Sequence, residues 1–177
     1  MTENYFKAEW SNYLIASTVI VTAALLASSY WTVRMVKAPE AGMRISGFLL
    51  LSIMIGAVMF SYLLAPKGYL IDADKLVIIR PLSSITIPLA GVTGAEAAAP
   101  ELFNDSIRVM GSGGLWGYYG KYQSPHLGRY YMYARRTSEL VLVRGRENYV
   151  IAPERFPEFI KVLNLAILSN NRKELTK

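Results

Sequence analysis

The sequence predicts two antiparallel membrane-crossing helices followed by a small α+β domain, an antiparallel barrel or bent sheet closed by a C-terminal helix. Three observations predict it. Two long uncharged apolar blocks lie before residue 67, short β-branched runs alternate with turn residues after it, and the last stretch changes to a helical period. The totals agree: 177 residues are 53% apolar and 18% charged, with mean hydropathy +0.26. That balance argues against disorder and against an ordinary soluble domain. The absence of cysteine excludes disulfides, thiolate metal sites and Cys nucleophiles, and a single histidine, His126, leaves little for a His-based site.

The first block, Tyr13 to Val33, has 21 residues, and the second, Ile45 to Leu64, has 20. About 20 helical residues at 1.5 Å each cross the roughly 30 Å hydrocarbon layer. Trp10, Tyr13, Tyr30 and Trp31 bracket the first block, and Tyr62 and Tyr69 lie near the end of the second. Such rings favour the headgroup level. Lys7, Arg34, Arg44 and Lys67 bound the blocks as charged stops. Pro39 and Gly42 break the short connection, so the helices are antiparallel neighbours. Small residues at Ala23 with Ala27, Ala24 with Ser28 and Ser52 with Gly56 would let them approach closely. No ionisable residue falls inside either block, which argues against an ion path.

Two rivals compete with this reading. A buried hairpin would need a larger core than so short a chain supplies. A cleaved signal peptide would need a basic leader, whereas Glu3 and Glu9 flank Lys7, although Ala24–Ser28 resembles a cleavage site. Both ends of the hairpin lie on one side. Basic residues do not separate the sides: the loop has Arg34, Lys37 and Arg44, and the other side has Lys7, Lys67, Lys75 and Arg80. The expectation is an integral membrane protein with its C-terminal domain in the cytoplasm.

Of 19 basic and 13 acidic residues, 15 and 10 fall in 67–177. Strands are expected at Tyr69–Ile71, Leu76–Arg80, Ile85–Leu89, from Val92, and at Tyr130–Tyr133, Leu140–Val143 and Tyr149–Ile151. Asp72–Asp74, Pro81–Ser84 and Arg146–Asn148 supply turns. Phe156, Phe159, Ile160, Leu163 and Ile167 form one helical stripe, with Pro157 and Glu158 suiting the first turn. That helix is expected to end near Ser169–Asn171. One apolar stripe after about seven strands needs a sheet to cover. The expected organisation is a leader (1–12), the hairpin (13–66), the sheet domain (67–168) and a polar tail (169–177).

Three stretches carry a family resemblance. They are Tyr69-Leu70-Ile71-Asp72 through Arg80-Pro81 to Ile87-Pro88-Leu89, then Arg108 to Gly120 continuing to Tyr133-Ala134, and Tyr149 to Glu154 with Phe159-Ile160. Over roughly residues 68–165 this wording resembles the bacterial PH-domain family of small membrane proteins. The resemblance implies a pleckstrin-homology-like fold and a membrane setting, and it brings no catalytic residue. One departure is Arg135-Arg136, where the family pattern has a small polar residue.

The segment Gly111–Gly120 invites a phosphate-loop reading that fails: Gly120-Lys121 is followed by Tyr122, and no helix follows the glycines. The glycines instead suit bulges and close backbone approach in a strongly bent hairpin. Gly113, Gly114, Leu115, Trp116, Tyr118 and Tyr119 form a candidate partner-binding loop, with core packing or a headgroup-level position for Trp116 as the competing roles. Late in the sheet, Lys121, Arg129, Arg135, Arg136, Arg144 and Arg146 gather positive charge. Lys121, Arg135, Arg136, Arg144 and Arg146 are candidate anionic-lipid contacts, against the alternative of a solvated face. His126 follows Pro125 in a turn and reads as a surface residue, and Ser112 lacks the GxSxG elbow. No paired carboxylates suit acid–base work. No catalytic residue, metal site or cofactor is expected, nor is nucleic-acid binding. The expected role is a non-enzymatic, membrane-anchored interaction module that spans the bilayer twice and meets a protein partner or a second copy. Anionic lipid or a small ligand is the alternative.

Overall fold

The computed structural model describes residues 4–175. Residues 1–3 of the expected leader and 176–177 of the expected tail lie outside the described residues. The order is β1 (Tyr5–Lys7), α1 (Asn12–Val36), α2 (Ala41–Leu64), β2 (Gly68–Ile71), β3 (Lys75–Ile79), β4 (Ile85–Pro88) and β5 (Val92–Ala97). Then follow β6 (Ile107–Gly113), β7 (Tyr118–Ser124), β8 (Gly128–Ala134), β9 (Val141–Gly145), β10 (Asn148–Ile151) and α3 (Phe156–Leu175). Two long apolar helices thus precede a sheet-rich domain that ends in a helix.

Ser11 starts α1, its Oγ accepting the Leu14 N–H at 3.1 Å. At 25 and 24 residues, α1 and α2 are long and apolar enough to cross a membrane. Their outward side chains are uncovered: Ile20, Leu26, Trp31, Ile45, Leu49 and Ile53 are all exposed. The residues withdrawn from the surface are Leu14, Thr18 and Thr32 of α1 and Gly47 of α2. The close approach therefore falls at Gly47, where a Cβ would lie 2.7 Å from the Val36 nitrogen. The expected small-residue pairs do not make it. Ala23, Ala24, Ala27 and Ser28 are exposed, and a Cβ on Gly56 would meet nothing.

The strands form two sheets, not a closed barrel: β1-β2-β3-β4, and β5-β9-β10-β8-β7-β6. Nor is the pairing wholly antiparallel. The β9–β10 hairpin inserts between β5 and β8, and β10 runs parallel to β8 with Tyr149 beside Tyr131. The segment expected as a leader supplies β1, whose Phe6 pairs with Tyr69 of β2. Alternation puts Phe6 and Ala8 inside and leaves Tyr5 and Lys7 outside. Helix α3 continues through Ser169–Asn171, expected as its end, to Leu175.

One core lies between the sheets and under α3, built from Phe6, Tyr69, Leu76, Ile78, Phe159 and Leu163 with Val141, Val143 and Ile151. A second lies on the other face of the six-stranded sheet, where Leu102, Phe103 and Leu127 cover Tyr122, Tyr130, Met132 and Leu142. The bent hairpin read from the glycines is present. Gly111 and Gly120 face each other across β6 and β7 at φ 119° and 118°. A Cβ on either would enter a backbone carbonyl oxygen of the opposite strand.

Candidate functional site

Two features stand apart from ordinary packing: the joint between hairpin and domain, and a basic groove on the six-stranded sheet. The joint is made by the β6–β7 turn. Ser17 Oγ donates to the Gly114 carbonyl at 2.9 Å, and the Trp116 N–H donates to Thr18 Oγ1 at 3.3 Å. Ser61 Oγ, on α2, donates to the Leu115 carbonyl at 3.2 Å, and Tyr119 Oη donates to the Ser61 carbonyl at 3.0 Å. Trp116 packs edge-on between Trp10 and Tyr62, with ring centroids 6.0 and 5.2 Å away. Of the candidate partner loop Gly113, Gly114, Leu115, Trp116, Tyr118 and Tyr119, the residues Gly114, Leu115, Trp116 and Tyr119 therefore form a clasp that holds both helices. Sequence reasoning missed its receiving side, Ser17, Thr18 and Ser61. Isolated hydroxyls in apolar helices are common, and their spacing carries no mark of a distant partner.

The candidate lipid contacts separate into three groups. Arg135 and Arg136 are withdrawn from solvent, at 6% and 8% exposure. The Arg135 guanidinium lies 4.6 Å from the Trp10 ring centroid, and burial pushes its pKa down. Arg136 donates to Glu9 Oε2 and to the Pro153 carbonyl, each at 2.8 Å, and lies 2.8 Å from Glu139 Oε2. These two arginines knit the chain before α1 to the sheet through Trp10 and Glu9 and lie buried there. Arg144 is exposed but paired with Glu96 at 2.7 Å. Lys121 and Arg146 remain exposed, and Arg129 joins them.

Those three cations line one groove of about 550 Å³ together with Tyr131, Glu147 and Val109. The Lys121 amine sits 5.5 Å from the Tyr131 ring centroid, and Tyr131 stacks on Tyr149 at 5.4 Å. Glu147 is occupied by Tyr149 Oη at 2.9 Å. Among the described residues Lys121, Arg129 and Arg146 have no carboxylate partner, whereas Lys75, Arg144 and Arg155 each have one and Arg136 has two. His126 is exposed in the β7–β8 turn.

A family model described as bacterial PH domain matches residues 67–167. The chain belongs to the bacterial PH-domain family. No curated protein and no solved structure matches it. The match to this PH domain begins after α2, yet β1 lies outside it and still completes the first sheet. The joint residues Trp10, Ser17, Thr18 and Ser61 also lie outside the match, while all three groove cations lie within it.

Buried tyrosines give this PH domain an alkaline limit. Tyr69 Oη donates to the Tyr133 carbonyl at 2.7 Å and accepts the Ala152 N–H at 3.2 Å. Burial drives its pKa upward, against the opposing Ala152 hydrogen bond and the nearby Arg135 and Arg136 charges. Burial likewise pushes Tyr122 up to about 12. An unfolded tyrosine ionises near 10.0, so above that pH the unfolded chain releases protons that the folded chain retains. Stability is therefore fully present below pH 10 and falls as pH rises towards 12. Urea melts at about pH 9 and about pH 11 should show the loss, and Tyr122→Phe should shrink it. A midpoint independent of pH across that window would contradict the assignment.

Proposed function

We propose that the chain is a non-enzymatic, membrane-anchored binding module, its two helices crossing the bacterial inner membrane and its PH domain held at the cytoplasmic face. One observation carries the reading. Both domain-side ends of a hairpin built on two uncharged apolar blocks are locked into the domain, by β1 and Trp10 at one end and Ser61 and Tyr62 at the other, while the apolar exterior stays uncovered. An uncovered apolar surface of that extent needs lipid or protein around it. The rigid clasp would hold the domain at a constant height above the bilayer. Tethering raises the local concentration of membrane partners, so modest contacts suffice.

A non-enzymatic role is supported by the character of both features. The clasp is closed on itself, and the groove, where Glu147 already accepts from Tyr149 Oη, has no serine, threonine or histidine among the described residues that line it. The anionic-lipid reading has less support, because Arg135 and Arg136 are internal and Arg144 is paired.

The chain has no cysteine, so single thiols can be placed at will. The protein should stay in the membrane pellet through alkaline carbonate extraction. Ala38→Cys, in the connection between the helices, should react with an impermeant maleimide in spheroplasts. His126→Cys should react after lysis alone. Release by carbonate would overturn the anchoring, and the reverse labelling pattern would overturn the orientation.

A further inference from the structure

The six-stranded sheet treats its two edges differently. At β5 the Asn164 side chain of α3 grips the edge, accepting the Ala95 N–H at 2.9 Å and donating to the Ala95 carbonyl at 2.8 Å. That amide takes the place of a neighbouring strand. At the other edge, β6 pairs with β7 with a register shift between Arg108 and Met110, and among the described residues no strand lies on its outer side. Six of its seven residues are exposed, and Ile107, Val109 and Met110 stand 58–62% open. A long apolar edge with free backbone donors and acceptors is a template for another strand. Natural sheets usually block such edges with charge, bulges or cover; β6 has Arg108 and a register shift beside it, yet Ile107, Val109 and Met110 stay open.

The groove opens onto this edge, since Val109 of β6 lines it with Lys121, Arg129 and Arg146. Lys121 lies opposite Met110, and Arg129 lies opposite Gln123, itself opposite Ile107. Three cations without carboxylate partners among the described residues thus flank an open strand.

We infer that β6 is the docking edge for an extended acidic segment of a partner protein, which adds as a seventh strand and sends carboxylates into the Lys121–Arg129–Arg146 groove. The inference rests on the binding-module reading and supplies its surface and partner chemistry. Backbone pairing gives affinity, and alternate side chains give selectivity. Charge decides the occupant. A second copy would bring Arg108 and the groove cations against their own equivalents, whereas an acidic segment neutralises them. A single lipid headgroup would leave the apolar side chains of β6 and its outer backbone groups open.

The test uses the full chain in phosphatidylcholine nanodiscs and a library of random short peptides, with empty nanodiscs as the control. Incorporation into the discs reports separately on anchoring. The selected peptides should be enriched in Asp and Glu alternating with apolar residues. N-methylation of alternate backbone amides in a selected peptide should abolish binding. Arg129→Glu, and separately Lys121→Glu, should each weaken it about tenfold or more. Both side chains are exposed, so retained thermal unfolding distinguishes lost binding from lost fold. Selection of basic or neutral peptides, no enrichment over empty discs, or indifference to N-methylation would overturn the inference. So would a dimer that dissociates on Met110→Glu substitution, which would assign the edge to a second copy.

Discussion

Phe6→Ala is expected to destabilise the domain by about 3–5 kcal/mol, the usual consequence of emptying a large aromatic core site. Phe6 is 1% exposed and meets Phe159 of α3 edge-on, with ring centroids 5.0 Å apart. Phe159 in turn meets Tyr69 at 6.1 Å, so one ring from before the hairpin closes a stack whose other members lie after it. The cavity would open between β1, β2 and α3, where a three-residue strand has little capacity to collapse inward. Lys7→Ala, on the exposed side of the same strand, should change stability by less than about 0.5 kcal/mol. Thermal unfolding of both variants in detergent, followed by tryptophan fluorescence, measures the difference. Equal midpoints for the two would refute the role given to β1. The same reasoning predicts that a fragment beginning at residue 67 aggregates, since it lacks Phe6 and exposes the β2 edge.

Removing both acids around Arg136 should have a comparable effect. Arg136 is 8% exposed, and Glu9, Glu139 and the Pro153 carbonyl surround its guanidinium. Glu9→Ala combined with Glu139→Ala leaves a buried guanidinium with one neutral acceptor, at a cost of about 3–5 kcal/mol. Arg136→Met should cost less, because the two carboxylates are half exposed and can return to water. Denaturant melts of the two variants therefore test a direction as well as a size. If Arg136→Met proves the more damaging, packing of the arginine's aliphatic stem outweighs its ion pairs and the ionic explanation is wrong. Glu9 lies just before α1, so the double variant should also expose 9–12 to protease.

The hairpin, the closing helix and most strands were legible because each is written in a local period. Uncharged blocks, β-branched runs between turns, and the Phe156–Ile167 stripe need no knowledge of distant residues. The strand β1 was not legible, because three residues hold too little alternation to distinguish a strand from a leader. The parallel pairing of β8 with β10 was hidden for another reason: strand patterns state which face is apolar but not which neighbour lies alongside. The glycine–aromatic segment is distinctive in the sequence, which leaves a partner loop, core packing and a headgroup-level position for Trp116 in competition. Its partners, Ser17, Thr18 and Ser61, lie 97, 98 and 54 residues away along the chain.

By itself, then, the sequence determined the chemical character of each segment and its local conformation, because side-chain hydrophobicity and backbone preference act over a few residues. Only the tertiary structure decided which charges remain available. The sequence sets Arg135 and Arg136 apart as an adjacent pair but does not show that they are buried while Lys121, Arg129 and Arg146 are exposed. The pair is inside because the chain before α1 returns to meet it with Trp10 and Glu9, and a charge keeps or loses its contact with water according to what packs over it.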